Sequence, residues 1–299
     1  MNKYLLKCKL LKTRNDIVRF INKKRFNDEL VILSSNKYLY SVKEDIMTEY
    51  YLLKKGINTK ILPYEIKDNS CKNYLIKSTW GYQCDVDNFI EYINLLGDKL
   101  INYDFIVKNI NKYSQFEMLK NSGVDCIDTY LVNSSEDIIL HLNGEMVIKP
   151  IISASSFNTF KINDINKEEV ISKIKDDLGK GYLLQKFIPE IKDGEKSVIL
   201  FNGEIAHVIN RFPGVFTGTP KLEEIKDIDE GLNKLVNQVK SINEYKDCSY
   251  MRLDCVFVDN KYIVMEIEVI EPQFFFETIS DKDISYNKYI DMILSKIKK

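Results

Sequence analysis

Four charged side chains alternate with apolar ones in the segment YMRLDCVFVDNKYIVMEIEVIEP, residues 250 to 272. They are Arg252, Asp254, Glu266 and Glu268. Because alternate residues of a β-strand share one face, the charges lie on one face of a hairpin and the apolar residues between them lie on the other. A buried strand has no structural need for so many charges. The segment therefore predicts a site at which a partner neutralises them.

The turn of this hairpin decides which charged residues face each other. A three-residue turn at DNK, residues 259 to 261, would pair Val258 with Tyr262, Asp254 with Glu266, and Arg252 with Glu268. Directly opposite side chains lie about 5 Å apart at Cβ. Carboxylates that close together share a proton or bind a hard divalent cation such as Mg²⁺, which prefers oxygen ligands. The alternative is a solvated sheet face of mixed charge.

Basic residues upstream have types and positions that suit phosphate binding. Lys149 lies on the predicted strand VIKPI, just before the small-residue loop SASS. A strand lysine beside loop N–H groups is a common way to hold a phosphate. Lys112 begins a predicted helix, and Arg211 follows the strand EIAHVIN, where a guanidinium could clamp a phosphate. For both lysines, a solvent-facing position is the alternative.

Three further features are candidates for ligand contact. The segment LLQKFIPE predicts a strand that runs into a connector, whose backbone could bind an adenine with Phe187 and Ile188 as apolar contacts and Glu190 near a ribose. An interdomain linker explains that segment equally well. Trp80 ends a predicted buried strand, where ligand stacking and simple packing are even alternatives. His207 is a candidate for substrate contact, and a structural histidine is its alternative.

Composition argues against several classes of protein. The 299 residues are 44% hydrophobic and 29% charged with a net charge of −1, which suits a sizeable core and gives no case for a nucleic acid or a membrane surface as partner. The 6 cysteines lack CxxC spacing, and 2 histidines are too few for a histidine metal centre. No apolar run approaches the roughly 20 residues of a membrane span, and the first residues do not resemble a secretory signal. We therefore expect a reduced, cytoplasmic protein.

The order of predicted strands and helices favours an α/β protein in four segments. A helical extension over residues 1–29 precedes a small α/β domain over residues 30–105. Residues 106–185 form a central unit, and residues 186–299 form a C-terminal unit that contains the charged hairpin. The pair Asn202-Gly203 predicts a tight hairpin turn within the last segment.

Taken in order, these features resemble the ATP-grasp family, with the ligase of D-cycloserine biosynthesis and its relatives as the most similar pattern. The matching stretches are KSTWGY, NKYSQFEMLKNSGV, VIKPIISASS, LLQKFIPEIKDGEKSVILFNGEIAHVINRFP and MRLDCVFVDNKYIVMEIEVIEPQFFFE. They cover residues 30 to 277, and the last two are the most specific. The resemblance implies an ATP-grasp fold preceded by an N-terminal α/β pre-ATP-grasp domain.

The resemblance also implies a role for each matching residue. Asp254, Glu266 and Glu268 would hold two Mg²⁺ ions, and Arg211 and Arg252 would stabilise the transferred phosphoryl group. ATP would contact a larger set, namely Lys112, Lys149, Ser155, Ser156, Gln185, Lys186, Phe187, Ile188 and Glu195. The substrate would contact Trp80 and His207.

Two departures from the family pattern stand out. The phosphate-covering loop, usually rich in glycine, reads SASSF and contains none, so its close approach to phosphates is in question. Glu268 occupies a metal position where many ATP-grasp ligases have Asn.

The resemblance implies an ATP-dependent carboxylate–amine ligase that works through an acyl phosphate on a small amino-acid-like carboxylate. Two alternatives stay open: a kinase-like ATP-grasp protein that phosphorylates an alcohol, and a non-catalytic nucleotide-binding partner protein. The expected partners are a small carboxylate and an amine. The oligomeric state is open, with a homodimer built on the N-terminal extension as one alternative.

Overall fold

The computed structural model describes residues 29–154, 157–213 and 221–298. The predicted N-terminal helix and the two loop serines Ser155 and Ser156 lie outside these ranges. The strands are β1 Leu30–Ser34, β2 Thr59–Pro63, β3 Tyr74–Ile76, β4 Thr129–Val132, β5 Met146–Pro150, β6 Phe160–Ile162, β7 Tyr182–Lys186, β8 Glu195–Phe201, β9 Glu204–Phe212, β10 Lys221–Ile225, β11 Tyr250–Val258 and β12 Lys261–Glu268. The α-helices are α1 Lys43–Lys54, α2 Val86–Leu96, α3 Tyr103–Asn109, α4 Lys112–Asn121, α5 Ser135–His141, α6 Lys167–Ile174, α7 Glu230–Ser241 and α8 Lys282–Lys296.

The N-terminal part of the chain is a small parallel sheet in the order β2-β1-β3. All five residues of β1 are buried, as expected for a parallel strand covered on both faces. Polar residues follow β1 and β3 at the same edge of the sheet, because parallel strands end on the same side. Ser34, Lys77, Ser78 and Thr79 are all buried there.

Two antiparallel sheets form the rest of the chain. One has four strands in the order β4-β7-β5-β6, and the other has five in the order β10-β9-β8-β11-β12. The predicted turn at Asn202-Gly203 joins β8 to β9 with positive φ angles of 48° and 76°, as a two-residue hairpin requires. These sheets and helices agree with the predicted α/β fold class, whereas the division into four segments remains a prediction.

The charged hairpin has the predicted pairing near its base but a different turn. Val258 pairs with Lys261, so the turn consists of two residues, Asp259 and Asn260, both with positive φ. Val264 of β12 pairs with Cys255, and Glu266 pairs with Asp254. Met265 lies between these two residues as the extra residue of a β-bulge. The bulge restores the predicted pairs, Asp254 with Glu266 and Arg252 with Glu268. The prediction that Met265 lies on the apolar face was wrong, because the bulge turns it toward a cavity.

Three other features depart from the sequence prediction. Helix α3 and the edge strand β10 were not predicted, because one is a single short helix and the other reads KLEEI without a clear alternating pattern. Phe257 was expected to be buried in the hairpin, yet it is 50% exposed at the open end of the sheet.

None of the described helices is both long enough and apolar enough to cross a membrane.

A buried polar cluster joins α1 to the edge of the parallel sheet. Lys77 pairs with Glu44 at 3.2 Å, and Ser78 donates a hydrogen bond to Asp45. Asp45 is 1% exposed, and its Oδ1 has no hydrogen-bond partner among the described residues. Burial raises the pKa of the Asp45 carboxyl to about 7, with Lys77 and Ser78 acting in the opposite direction.

The raised pKa of Asp45 predicts a pH-dependent loss of stability. The folded protein retains the proton up to about pH 7, while the unfolded chain loses it near the ordinary aspartate pKa of 3.8. The free energy of unfolding should therefore fall as pH rises through this window, by up to a few kcal/mol from this group. Asp45→Asn should remove that contribution, so the variant should gain stability relative to the wild type as pH rises.

The measurement is urea unfolding of both proteins between about pH 4 and pH 8. The exposed residue Asp247 provides the control, since Asp247→Asn should give the same stability difference from the wild type throughout. A constant difference for Asp45→Asn across this range would contradict the assignment.

Candidate active site

A cavity of about 860 Å³ lies where the four-stranded and five-stranded sheets face each other. Its volume is within the range of small-molecule and cofactor sites. Of the predicted site residues, thirteen line it: Trp80, Lys112, Lys149, Gln185, Lys186, Phe187, Ile188, Glu195, Arg211, Arg252, Asp254, Glu266 and Glu268. The structure therefore gathers residues from six strands, one helix and two loops into one site.

Asp254 is the most enclosed charge in the cavity. Its side chain is 2% exposed, and Ser197 donates a hydrogen bond of 2.6 Å to its Oδ1. Arg252 donates from Nε and Nη2 at 2.9 to 3.1 Å, and Arg211 Nη2 lies 2.9 Å from Oδ2. Two guanidinium groups thus neutralise one buried carboxylate, which suits the fork geometry of arginine.

Glu266 and Glu268 lie on the neighbouring strand β12. Lys112 forms an ion pair with Glu266 Oε1. Burial acts to raise the pKa of Glu266, but the ammonium groups of Lys112 and Lys149 outweigh it and hold that pKa well below its usual range. Burial, with the Glu266 charge nearby, raises the pKa of Glu268, whose Oε1 accepts hydrogen bonds from the backbone N–H groups of residues 270 and 271. The pair repels, so a further cation at this point would be stabilised.

Lys149 is a cation without a direct partner. Among the described residues none forms an ion pair or a side-chain hydrogen bond with its ammonium group, although Glu266, Glu195 and Asp254 are near enough to attract it. Burial lowers its pKa. An ammonium group that lines a cavity and has no ion-pair partner among the described residues is well suited to a negatively charged ligand.

Lys112 and Lys149 thus differ from the solvent-facing alternative that the sequence left open. Lys112, the first residue of α4, is 9% exposed. Its backbone N–H donates a hydrogen bond of 2.9 Å to the carbonyl of Ile151. Both ammonium groups lie on the cavity wall.

The opposite end of the cavity is formed by the last residues of β7 and the connector after it. Gln185 donates a hydrogen bond of 2.8 Å to Thr129, and the backbone N–H of Phe187 donates to the carbonyl of Glu145 at 3.0 Å. The ring of Phe187 lies 4.0 Å from the ammonium of Lys161, and Ile188 is 5% exposed. This end combines apolar walls with backbone polar groups, which suits a planar heterocycle.

Glu195 lies at the start of β8, opposite Arg211 on β9. Arg211 Nη2 lies 2.8 Å from its Oε2. Burial raises the pKa of the Glu195 carboxyl to about 7, and the Asp254 charge adds to this effect while Arg211 and Arg252 oppose it. Glu195 is therefore part of the same charge network as Asp254.

The segment Glu271–Phe276 adds residues that sequence reasoning missed. Glu271 is 4% exposed and accepts a hydrogen bond of 2.8 Å from Thr79, and burial raises its pKa well above the usual range. Gln273 and Phe275 line the cavity beside Trp80, whose ring packs edge-on against Tyr38 at 5.1 Å. The matching stretch includes EPQFFFE, but the resemblance implied no role for these residues, and the fold reveals that they reach the site.

The predicted substrate contact at His207 is not supported by its position. His207 lies on β9, four residues before Arg211, and it is not among the residues that line the cavity. Its Nε2 donates to the carbonyl of Phe274 at 2.6 Å, and burial lowers its pKa. The structural alternative describes this residue, because its hydrogen bond is used inside the fold.

The assignment of Asp254, Glu266 and Glu268 to Mg²⁺ stays a prediction. Within the described ranges, no group of three or more His, Cys, Asp or Glu side chains is arranged to hold a metal ion. The physical reason is that both oxygens of Asp254 are taken by Ser197 and two arginines. Glu266 and Glu268 still fit Mg²⁺, which commonly uses one or two carboxylates together with phosphate oxygens.

Two curated proteins are similar to part of this sequence. Glutathione synthetases of Bradyrhizobium diazoefficiens and Prochlorococcus marinus are 33% identical over 73 residues and 24% identical over 180 residues, respectively. These matches cover 24% and 56% of this chain, and 23% and 57% of the two relatives. The chain thus spans less than a quarter of the length of the first curated relatives that it matches.

Solved structures share the fold over nearly the whole chain. A D-cycloserine synthetase has a TM-score of 0.78 at 17% identity, covering 90% of this chain and 99% of its own. The D-alanine–D-alanine ligase of Bacillus anthracis in complex with ATP has a TM-score of 0.61 at 16% identity, covering 89% and 96%.

The family comparison places the match over the site itself. The model of the prokaryotic glutathione synthetase ATP-grasp domain matches residues 118–272, just over half of the chain. This range contains β4 to β12, which form both antiparallel sheets around the cavity. The chain therefore belongs to the ATP-grasp family, as described by the ATP-grasp domain of prokaryotic glutathione synthetase.

Proposed function

We propose that this protein is an ATP- and Mg²⁺-dependent carboxylate–amine ligase that acts through an acyl phosphate on a small amino-acid-like carboxylate. The family is one of ligases that use ATP and Mg²⁺. The similar proteins are named as a glutathione synthetase, a D-cycloserine synthetase and a D-alanine–D-alanine ligase, which supports a small substrate of amino-acid type.

One observation carries the proposal: five basic groups and five carboxylates line a single cavity. Lys112, Lys149, Arg211 and Arg252 line it together with the three acidic residues of the hairpin. Phosphoryl transfer needs little covalent help from the protein and depends on positioning and charge neutralisation. The apolar residues of the cavity would position the base of the nucleotide, and the charged residues would bind and neutralise its phosphates.

In the proposed reaction, a carboxylate oxygen of the substrate attacks the γ-phosphorus of ATP and the bond to the bridging oxygen breaks, releasing ADP. An amine then attacks the acyl carbon, phosphate leaves with the bonding electrons, and the amine loses a proton. Lys149 would bind the phosphates, and Arg211 and Arg252 would stabilise the negative charge on the group in transfer. Mg²⁺, held by Glu266 and Glu268, would neutralise phosphate charge.

The experiment is a screen of single amino acids as carboxylate donors with amines as acceptors, measuring ADP and free phosphate together. A ligase should release both in equal amounts with an amide product. A phosphorylated product without free phosphate would identify the kinase alternative instead. Nucleotide binding without turnover across the panel would favour the non-catalytic alternative.

Nucleotide binding should also be visible as stabilisation. At a concentration of 100 times Kd, ADP with Mg²⁺ should add about 2.7 kcal/mol to the free energy of unfolding. Thermal unfolding with ADP, with and without Mg²⁺, measures this effect. An unchanged melting temperature under both conditions would count against the site.

Glu266→Gln should reduce ADP release by at least about 100-fold, because the amide cannot provide the charge that Mg²⁺ and Lys112 need. The fold should persist, as measured by circular dichroism and a melting curve. Glu204→Gln is the matched control, since Glu204 is an exposed strand residue of the same sheet. Undiminished turnover in the Glu266 variant would refute the metal-binding role.

Lys149→Met should weaken Mg²⁺-dependent ADP binding roughly tenfold or more, since it removes the unpaired cation at the phosphate end. The same change should leave stability unchanged or raise it, because burying an unpaired ammonium group is costly. Lys196→Met is the control: Lys196 is bonded to Asn210 on the other face of the sheet. Calorimetric titration and urea unfolding measure the two effects, and equal ADP affinity in both variants would be the opposing result.

A further inference from the structure

The segment Glu271–Phe276 borders the cavity, and the reaction proposed above does not account for it. Phe275 has a φ of 58°, in the left-handed region that a bulky residue rarely adopts. It is 8% exposed and lines the cavity. Such strain persists only where the surroundings enforce it, and it concentrates at functional sites.

The enforcing contacts act on the preceding residue, Phe274. Its backbone N–H donates to Glu44 Oε2 at 3.2 Å, and its carbonyl accepts from His207 Nε2 at 2.6 Å. The ammonium of Lys77, paired with Glu44, lies 4.2 Å from the centre of the Phe274 ring. Both polar groups of one peptide residue are therefore fixed by side chains from α1 and β9, and the next residue has little freedom.

The ring of Phe275 meets both arginines of the site. The guanidinium carbon of Arg252 is 5.8 Å from the ring centre, and that of Arg211 is 5.9 Å from it. These distances fall within the range of cation–π attraction. Arg211 needs this support more than Arg252 does, since its buried Nε has no hydrogen-bond partner among the described residues.

Arginine is scarce in this chain, which makes the arrangement specific. The five arginines are at positions 14, 19, 25, 211 and 252. Both of those in the described ranges therefore contact the same phenylalanine ring. Elsewhere in those ranges the chain uses lysine for its positive charges.

We propose that Phe275 is a positioning residue for the transfer step: its ring is the shared platform that orients Arg211 and Arg252, and Glu44 and His207 hold it in place through Phe274. The inference rests on the proposed function, because it assigns the ring to the arginines that stabilise the transferred group. Long side chains lose conformational freedom when they bind, so a platform that orders them beforehand reduces that cost.

The first experiment observes the arginines directly in the ligand-free protein. With ¹⁵N-labelled arginine, the five arginines give five side-chain Nε–H signals. The signals of Arg211 and Arg252 are identified by their loss in Arg211→Lys and Arg252→Lys. The heteronuclear NOE of these two signals reports fast motion of the side chains. Phe275→Leu keeps an apolar side chain but removes the ring, and it should make the Arg211 side chain mobile. Phe275→Tyr should retain the wild-type rigidity. Equal rigidity of Arg211 in the wild type and the Leu variant would overturn the proposal.

The second experiment uses ADP, Mg²⁺ and aluminium fluoride, a mimic of the phosphoryl group in transfer. Phe275→Leu should weaken ADP binding in the presence of aluminium fluoride roughly tenfold, the size of a partly buried cation–π contact, and leave binding of ADP alone within about twofold. Phe275→Tyr should restore the effect. Phe89→Leu is the control, because Phe89 is fully buried between Tyr64 and Tyr82 and the variant loses a ring elsewhere in the core.

The outcomes separate this inference from the proposed function. If the wild type responds to aluminium fluoride and the Leu variant responds equally, the positioning role is wrong and the ligase proposal stands. If the wild type binds no ADP under either condition, the ligase proposal fails and the role of Phe275 fails with it. A selective loss in the Leu variant supports both.

Discussion

The buried carboxylate of Asp254 is the interaction around which the site is organised. A lone carboxylate at 2% exposure would be strongly disfavoured in its charged form. Ser197, Arg252 and Arg211 compensate for its burial, and they come from the three neighbouring strands β8, β11 and β9. The pairing of those strands therefore determines where the guanidinium groups lie. Because both arginines are tied to this one carboxylate, any anion that enters the cavity meets them in a fixed region.

The second constraint comes from the N-terminal parallel sheet, which reaches the site directly through Tyr38 and Trp80 and indirectly through the segment Glu271–Phe276. The polar residues after β1 and β3 contact the segment Glu271–Phe276 through Thr79, Lys77 and Glu44. These buried groups are expensive unless they are paired, so their pairing holds the segment against the cavity. Thr79, Lys77 and Glu44 all lie outside the range of residues 118–272 that the family model matches.

The sequence predicted the elements best where a local rule had one solution. The Asn202-Gly203 turn and the buried strand β1 followed directly from residue types. The partners of Asp254 and Arg252 on β12 were predicted correctly although the turn was not. The turn is one residue shorter than predicted, and the bulge at Met265 adds one residue to β12, so the register beyond the bulge is the predicted one. Bulges depend on tertiary packing and leave no signal in alternation. The same limit hid Glu271, which contacts Thr79 192 positions away, and Phe275, whose neighbour Phe274 is held by Glu44 230 positions away. It also hid the engagement of Asp254 by arginines, because spacing alone cannot tell a metal ligand from an ion-pair partner.

The most direct test of the central claim, that these charges converge on a nucleotide triphosphate, is a crystal structure with Mg²⁺ and a non-hydrolysable ATP analogue. We expect the base beside Phe187 and Ile188, the phosphates within hydrogen-bond distance of Lys149, and the metal between the phosphates and the carboxylates of Glu266 and Glu268. An analogue bound outside this cavity, or phosphates directed away from the basic residues, would contradict the account.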